Sequence, residues 1–429
     1  MRITFLWVIA LLCVALSSCN KTGNGPAAGA GQTQPPGAAS VLITSFAPSG
    51  GPAGTQVTIT GSGFSINMAE NEVSFNGVRA VVLSATATAL TVTVPATAGP
   101  GKISVKRDIS TASSATDFNY VYHVSTLAGD GARGMTNGPG NTARFYEPYG
   151  VATDAAGNVY VADASNNMIR KITPAGLVST LAGNGTIGYK DGDGAMAQFN
   201  YPHGLAVDAA GNVFVAEAGG NMIRKITPDG IVSTLAGNGN AGFVNGTGAQ
   251  AEFNFPADIA IDAAGNLFVT DGNNKCIRKV TQTGVVTTYA AGFGFPEGIA
   301  MDAAGNIFVA DAASFVIRKV NHAGMVSILA GSEAELNYVN GPGNVARFHN
   351  PEGIAIDKRG NLYIGDLNAA VRRITPDGVV STIAGNGTTD FIDGPGPDSR
   401  FHEPSGIATD TNGSIFVCDV INQRIRKLQ

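Results

Sequence analysis

Short apolar runs, some alternating and some continuous, recur along this 429-residue chain and are separated by glycine-rich turns. That pattern predicts many brief strands rather than helices. From residue 148 onward one pattern is restated six times. Pro148-Tyr149-Gly150-Val151-Ala152-Thr153-Asp154 runs into A-A-G-N-V-Y-V-A-D and then M-I-R-K-I-T. It restarts at Pro202, Pro256, Pro296, Pro351 and Pro404, at spacings of 54, 54, 40, 55 and 53 residues. Each copy reads as four strands, and the second (Val159 to Asp163 in the first copy) is apolar without alternation, which predicts cover on both of its faces.

Sheets packed face to face around an axis give that cover, whereas a flat open sheet does not. The first three strands occur six times. The fourth does too, because a spare V-S-T-L-A at 124–128 precedes the first repeat. The sequence therefore predicts an all-β chain ending in a six-bladed β-propeller of four-stranded blades. The N-terminal strand at 124–128 is expected to close the ring beside the third strand of the last blade. Upstream, residues 41–122 hold β-rich runs such as Val57-Thr58-Ile59-Thr60 and Leu90-Thr91-Val92-Thr93-Val94 between turns such as Asn76-Gly77, which predicts a β-sandwich. Residues 20–40 have neither period nor apolar content and read as a tether of about 25 Å reach. Residues 1–18 hold one charge, Arg2, and an apolar run from Phe5 to Leu16, too short to span a bilayer and shaped like an export signal.

Composition sharpens the class. Glycine supplies 57 residues and charged residues only 14%, against a usual figure of about 25%. The net charge of −5 argues against nucleic acid, whose phosphates need a basic footprint. Four cysteines are too few for a disulfide scaffold, and Cys276 and Cys418 fall on strands of different repeats, where they read as buried thiols.

Three resemblances follow from quoted motifs. Leu16-Ser17-Ser18-Cys19 resembles the lipobox of bacterial lipoproteins, which implies cleavage before Cys19 and its lipidation. The runs S-F-A-P-S-G-G-P-A-G-T-Q-V-T-I-T-G-S-G-F and V-S-F-N-G resemble the IPT/TIG family of immunoglobulin-like domains. G-N-x-[YF]-V-A-D with the I-R-K pairs resembles the NHL repeat across 123–429. Together they imply a signal peptide at 1–18, a lipidated Cys19 with its tether at 19–40, an IPT/TIG domain at 41–122 and an NHL propeller at 123–429. The implied location is the bacterial cell envelope, on the outer membrane or cell surface.

Several motifs imitate chemistry. Gly129-x-Gly131-x-x-Gly134 and its counterparts at 183 and 237 satisfy a dinucleotide fingerprint but follow a strand into a loop with no helical period. The acid after strand two (Asp163, Glu217, Asp271, Asp311, Asp366, Asp419) and the Arg of strand three (Arg170, Arg224, Arg278, Arg318, Arg372, Arg426) recur in every copy, as architecture does and an active site does not. No G-x-S-x-G elbow is present.

The variable residues flank the repeated prolines. Tyr146, Glu147, Tyr149, Tyr201, His203, Glu297, His349, Glu352, His402 and Glu403 are expected around a central mouth, whose acids favour a neutral or cationic ligand. The loop between Ala291 and Pro296 is short and predicts a notch between the third and fourth blades. His203, in Y-P-H-G-L-A-V-D, is similar to a zinc ligand of the peptide amidating lyases, but the equivalent positions elsewhere hold Tyr149, Ala257, Glu297, Glu352 and Ser405. His349 and His402 stand one step earlier in register. Gluconolactonase-like propellers hold a divalent ion with Glu, Asn and Asp, for which Glu297, Glu352, Glu403 and Asn200 are the counterparts. Three readings result. The first is a lipid-anchored, monomeric binding or scaffold protein without cofactor, engaging a protein, peptide or glycan at the envelope. The second is a metal-dependent lyase or lactonase using a divalent ion, with His203, His349 and His402 as metal ligands in the lyase case. The third is a purely structural spacer.

Overall fold

Alternating apolar positions and glycine turns fold into many short strands in the computed structural model, which describes residues 40–429. The export segment, Cys19 and the tether lie outside the described residues. Residues 41–120 form two four-stranded sheets. One runs Leu42–Ala47, Gln56–Ser62, Ala89–Thr93, Val81–Ala85, and the other runs Val78–Arg79, Glu72–Phe75, Ile103–Arg107, Ser110–Ser113. Alternate residues of both (Val57, Ile59, Leu90, Val92, Val73, Phe75, Ile103, Val105) point inward and close a fully buried core around Phe118. Period-two burial on two facing sheets is the signature of a sandwich.

Six further sheets follow, one per repeat, in a propeller-like arrangement. The first contains Pro148–Thr153, Val159–Asp163, Met168–Ile172 and Leu177–Ala182, paired antiparallel in that order. The second strand of every sheet is buried along its whole length. Separate apolar clusters sit between successive sheets, such as Tyr160, Phe199 and Val215 between the first and second. In the sixth sheet the fourth strand is His123–Ala128, which pairs with Arg424–Leu428 at Val124↔Leu428 and Thr126↔Arg426.

Four strands per sheet is not the whole pattern. Two-residue strands, Gly138–Pro139, Gly246–Thr247, Gly341–Pro342 and Gly394–Pro395, add a fifth member to four of the sheets. Gly192 makes the equivalent bridge to Val232 in the second. Each comes from the long loop before its sheet and covers the free edge of the outer strand, which unpaired would be a template for aggregation. The fourth sheet has no such cover, because the loop before it spans only 292–295. Its outer strand, Val326–Gly331, stays open, with Met325 and Ile328 exposed beside it.

A buried ion pair ties each sheet to the loop that precedes it. In the first, Arg170 Nη1 donates to Asp163 Oδ2 at 2.7 Å and to the Arg144 carbonyl at 3.0 Å. Nη2 donates to the Thr136 carbonyl and to Asn137 Oδ1 at 3.0 and 2.7 Å, and the guanidinium lies over Phe145 at 5.2 Å. The other carboxylate oxygen, Asp163 Oδ1, accepts the Tyr146 N–H at 2.8 Å. Sheets three, five and six repeat the clamp through Arg278, Arg372 and Arg426, and the second uses Glu217 with Arg224. The fourth sheet improvises. With the preceding loop cut short, Arg318 binds Asp311 at 2.6 Å and recruits the exposed Glu333 from the following loop.

The sandwich packs against the fifth and sixth sheets. Arg359 donates to the Thr97 and Ala98 carbonyls at 2.8 and 2.5 Å, Thr97 Oγ1 donates to the Asn412 carbonyl, and Tyr120 and Tyr122 continue the sandwich core towards Tyr363 and Ile407.

Removing one partner of a buried ion pair leaves an uncompensated charge, a loss of about 3–5 kcal/mol. Arg170→Ala also strands two loop carbonyls and is expected to fall in that range by denaturant titration. Arg318→Ala, with a side chain 10% exposed and a solvated second partner, is expected to lose clearly less. Equal losses contradict the clamp account.

Candidate functional site: an axial mouth lined by one residue from each sheet

Each first strand begins with an irregularity in its pairing. Pro148 opposes Asp163, but the next regular pair is Val151 with Val161, and the same skip occurs after Pro202, Pro256, Pro296, Pro351 and Pro404. A bulge of this kind re-aims side chains. The freed residues turn to the axis, where the six first strands contact one another in sequence and the sixth contacts the first. Glycine follows the axial residue in five copies because there is no room for a Cβ. An added methyl on Gly150 meets the His203 carbonyl at 2.1 Å, and on Gly406 the Tyr149 carbonyl at 2.1 Å.

One cavity of about 30 Å³ lies on this axis, lined by Tyr149, His203, Ala257, Glu297, Glu352 and Ser405, one from each sheet. It has room for a water or two and no larger guest, so a ligand rests over it rather than inside it. His203 is buried, and its Nδ1 lies 3.0 Å from the Ala257 carbonyl. A carbonyl only accepts, so Nδ1 carries the proton and Nε2 is a free acceptor, 3.9 Å from Glu297 Oε1. Burial lowers the His203 pKa to about 4, against the opposing pull of that carbonyl, and keeps the ring neutral. Glu297 is pushed well up by burial, then by the charges of Glu352 and Asp258. Burial also raises Glu352, which the Ser405 hydroxyl opposes, and its Oε2 is buried with no hydrogen-bond partner. The floor of the mouth is therefore far less anionic near neutral pH than its carboxyl count implies.

Aromatic rings cover the other half. Tyr149 stacks on His203 at 4.7 Å, Tyr201 lies 5.8 Å from Tyr149, Phe255 lies 5.5 Å from His203, and Phe295 lies 5.6 Å from Phe255. Burial raises the hydroxyl pKa values of both Tyr149 and Tyr201. Tyr201, Phe255, Glu147 and Glu403 precede their prolines with φ of 52°, 59°, 52° and 61°, the left-handed region that bulky residues rarely enter. Side-chain carbonyls of the preceding sheet hold three of them. Asn167 accepts the Tyr201 N–H, Asn221 the Phe255 N–H, and Gln423 of the last sheet the Glu147 N–H at 2.7 Å.

Tyr149, His203, Glu297 and Glu352 thus converge on the cavity, Tyr201 packs beside Tyr149 at its edge, and the other expected residues do not line it. Glu147 accepts the Ser165 hydroxyl at 2.5 Å and Glu403 is half-buried beside it in register, both on the rim. Tyr146 lies under Arg133 at 4.9 Å. His349 and His402 occupy the position whose backbone N–H feeds the ion-pair acid, Asp366 at 3.0 Å and Asp419 at 2.7 Å, and neither lines the axial cavity. The set His203, His349 and His402 is not brought together. Among the described residues no group of three or more His, Cys, Asp or Glu is placed to hold a metal ion.

Phe255, Phe295 and Asp258 are additional to the residues read from sequence. Asp258 stands where the other copies carry glycine, a departure visible in P-A-D-I against P-x-G. Its carboxylate bridges strands by accepting the Ile259 N–H at 2.8 Å and the Ile299 N–H at 3.2 Å, and burial raises it to about 7.

Comparisons with known proteins agree with this architecture. Residues 41–120 match the IPT/TIG domain, and residues 199–225, 253–280 and 401–428 match the NHL repeat. The chain is similar to Protein SUPPRESSOR OF QUENCHING 1, chloroplastic, of Arabidopsis thaliana, at 27% identity over 70% of this chain and 26% of that protein. It is also similar to human Teneurin-4, at 24% identity over 65% of this chain and 10% of that one, so it spans a minor part of either. Among solved structures, a protein of unknown function from Bacteroides thetaiotaomicron aligns with a TM-score of 0.63 at 21% identity, covering 91% of this chain and 98% of that one. An auxiliary nutrient binding protein from the same organism aligns at 0.59 and 20% identity, covering 91% and 97%. At these identities the likeness is one of fold: an all-β chain with an IPT/TIG domain and NHL repeats.

The raised carboxyl at Glu352 has a signed consequence. The folded chain holds that proton more tightly than the unfolded chain, so stability falls as pH rises from the ordinary carboxyl range through the raised value. Glu352→Gln removes this slope while the His203 contribution cancels between the two proteins. Melting temperatures are expected to match near about pH 5 and to favour the variant by several degrees near about pH 8. A variant less stable than the parent at both pH values contradicts the assignment.

Proposed function

We propose that this chain is a lipid-anchored cell-envelope binding protein, held by the acylated Cys19. In this reading the six sheets are the blades of a closed six-bladed propeller, with strand 123–128 completing the last blade and residues 41–122 acting as spacer and brace. The axial mouth engages a protein, peptide or glycan partner. The observation that carries the proposal is the contrast between repeats that are uniform at the clamp, the turns and the cores and the five residue types they present at the six axial positions. An aromatic arc facing carboxyls whose pKa values burial raises and a free imidazole nitrogen offers stacking surface and hydrogen-bond groups, the chemistry of a neutral or cationic ligand. The description of a structural neighbour as an auxiliary nutrient binding protein supports a binding role.

Screening the purified protein against arrays of envelope glycans and peptides tests this. The double variant Tyr149→Ala, Tyr201→Ala is expected to lose at least about tenfold in affinity for whichever array member the parent binds, about 1.4 kcal/mol. Charges at Asn158 and Asn306, in the opposite turns, are expected to leave affinity unchanged. Loss at the turns with retention at the mouth overturns the proposal. For the anchor, Cys19→Ala is expected to move the protein out of the detergent phase, and unchanged partitioning contradicts lipidation.

A further inference from the structure

The second basic residue of strand three repeats as Lys171, Lys225, Lys279, Lys319, Arg373 and Lys427, each paired across from an aromatic residue of strand two. In five sheets the ammonium lies over that ring, at 5.5 Å from Tyr160, 5.7 Å from Phe214, 5.4 Å from Phe268, 5.6 Å from Phe308 and 5.8 Å from Phe416. The fifth sheet breaks the rule. Arg373 opposes Tyr363 in register, yet no such stack forms there. The Tyr363 hydroxyl donates to Asp357 at 3.0 Å, and the hydroxyl of Tyr122, arriving from the sandwich, meets that of Tyr363.

The released arginine lines a cavity of about 260 Å³ between the sandwich and the fifth sheet, with Asn119, Tyr120, Ser381, Thr382 and Pro397 among its walls. Arg373 is the only charged residue in that lining. Its Nε is buried without a hydrogen-bond partner, and no described residue forms an ion pair with it. The clamp arginines Arg170, Arg224, Arg278 and Arg372 also leave Nε unpaired, but their terminal nitrogens are fully engaged. The nearest acid on its own turn, Asp377, is drawn first to the Thr375 hydroxyl. Thr382 is partly used by Tyr338 at 2.6 Å, which leaves the Ser381 hydroxyl and the Asn119 amide to face the space.

We propose that this junction is a second binding site, distinct from the axial mouth, and that it takes a small organic carboxylate of sugar-acid size. A partly buried guanidinium without a partner needs an acceptor, and its planar fork matches a carboxylate through two parallel hydrogen bonds as an ammonium does not. Arginine replaces the repeated lysine at the position where the cavity opens between a sheet and the sandwich, whereas the cavity beside Lys279 also holds the acids Asp262 and Asp302. The volume lies at the small end for ligand pockets and suits a single ring or less.

Isothermal titration of the full-length chain in detergent tests the proposal, with sodium glucuronate and sodium acetate as probes and glucose and sodium sulfate as controls. Glucuronate is expected to bind saturably and glucose not to bind. Arg373→Gln and Arg373→Lys are both expected to weaken glucuronate at least about tenfold, about 1.4 kcal/mol. Arg373→Lys is expected to melt no lower than the parent, since a lysine there regains the stack its counterparts make. Tyr149→Ala is expected to leave glucuronate binding intact, which separates this site from the mouth. The proposal is overturned if neither carboxylate binds the parent, if glucose or sulfate binds as tightly as glucuronate, or if Arg373→Gln binds like the parent.

Discussion

A buried carboxylate–guanidinium pair, remade in each of the six repeats, is the constraint on which the rest of this molecule depends. Taking two charges out of water is expensive, and their attraction offsets the cost only when the remaining donors and acceptors are satisfied. Here the loop before each sheet supplies that satisfaction. Arg170 takes two loop carbonyls and Asn137 besides Asp163, and Asp163 in turn takes the Tyr146 N–H. The pair is therefore worth little without the loop, and the loop has little structure without the pair. What they hold jointly is the approach to the repeated proline, and hence the direction of the residue that follows it.

From that follows a division of labour inside each repeat. Ion pair, turn and core are kept alike because each solves the same packing problem six times. The residue after the proline is displaced from the regular ladder pairs by the bulge and set on the axis. It is free to differ, and five residue types fill the six positions, Glu297 and Glu352 sharing one. The close glycine contacts at Gly150 and Gly406 draw the first strands together until the axial space shrinks to about 30 Å³. This burial neutralises His203 and lifts the carboxyls of Glu297, Glu352 and Asp258.

Much of this was legible in the sequence because repetition averages out local ambiguity. A single G-N-V-Y-V-A-D run is a short apolar segment of uncertain type, and six at near-constant spacing leave one class of architecture. The convergence of Tyr149, His203, Glu297 and Glu352 was legible from their shared place after proline. What escaped were departures from the repeat that needed three dimensions to matter. Asp258 hides in a glycine column whose meaning is a close backbone approach. Phe255 and Phe295 carry no motif, and only the structure puts their rings in the arc beside His203. His349 and His402 misled because one step in register exchanges the axis for the clamp. The carboxyl count of the mouth is legible in the sequence, whereas the burial that raises the pKa values of Glu297 and Glu352 is not. The packing of the sandwich on the fifth and sixth sheets rests on Arg359 and Tyr122, which carry no motif.

The central claim is that the unlike axial ring, rather than any repeated feature, is the working surface. Site-specific photo-cross-linking in living cells tests it most directly, with p-benzoylphenylalanine replacing Tyr149 or Tyr201 at the mouth, or Asn158 or Asn306 in the opposite turns. The account predicts discrete ultraviolet-dependent adducts from the two mouth positions and none from the turn positions. Adducts from the turns, with silence at the mouth, would contradict it.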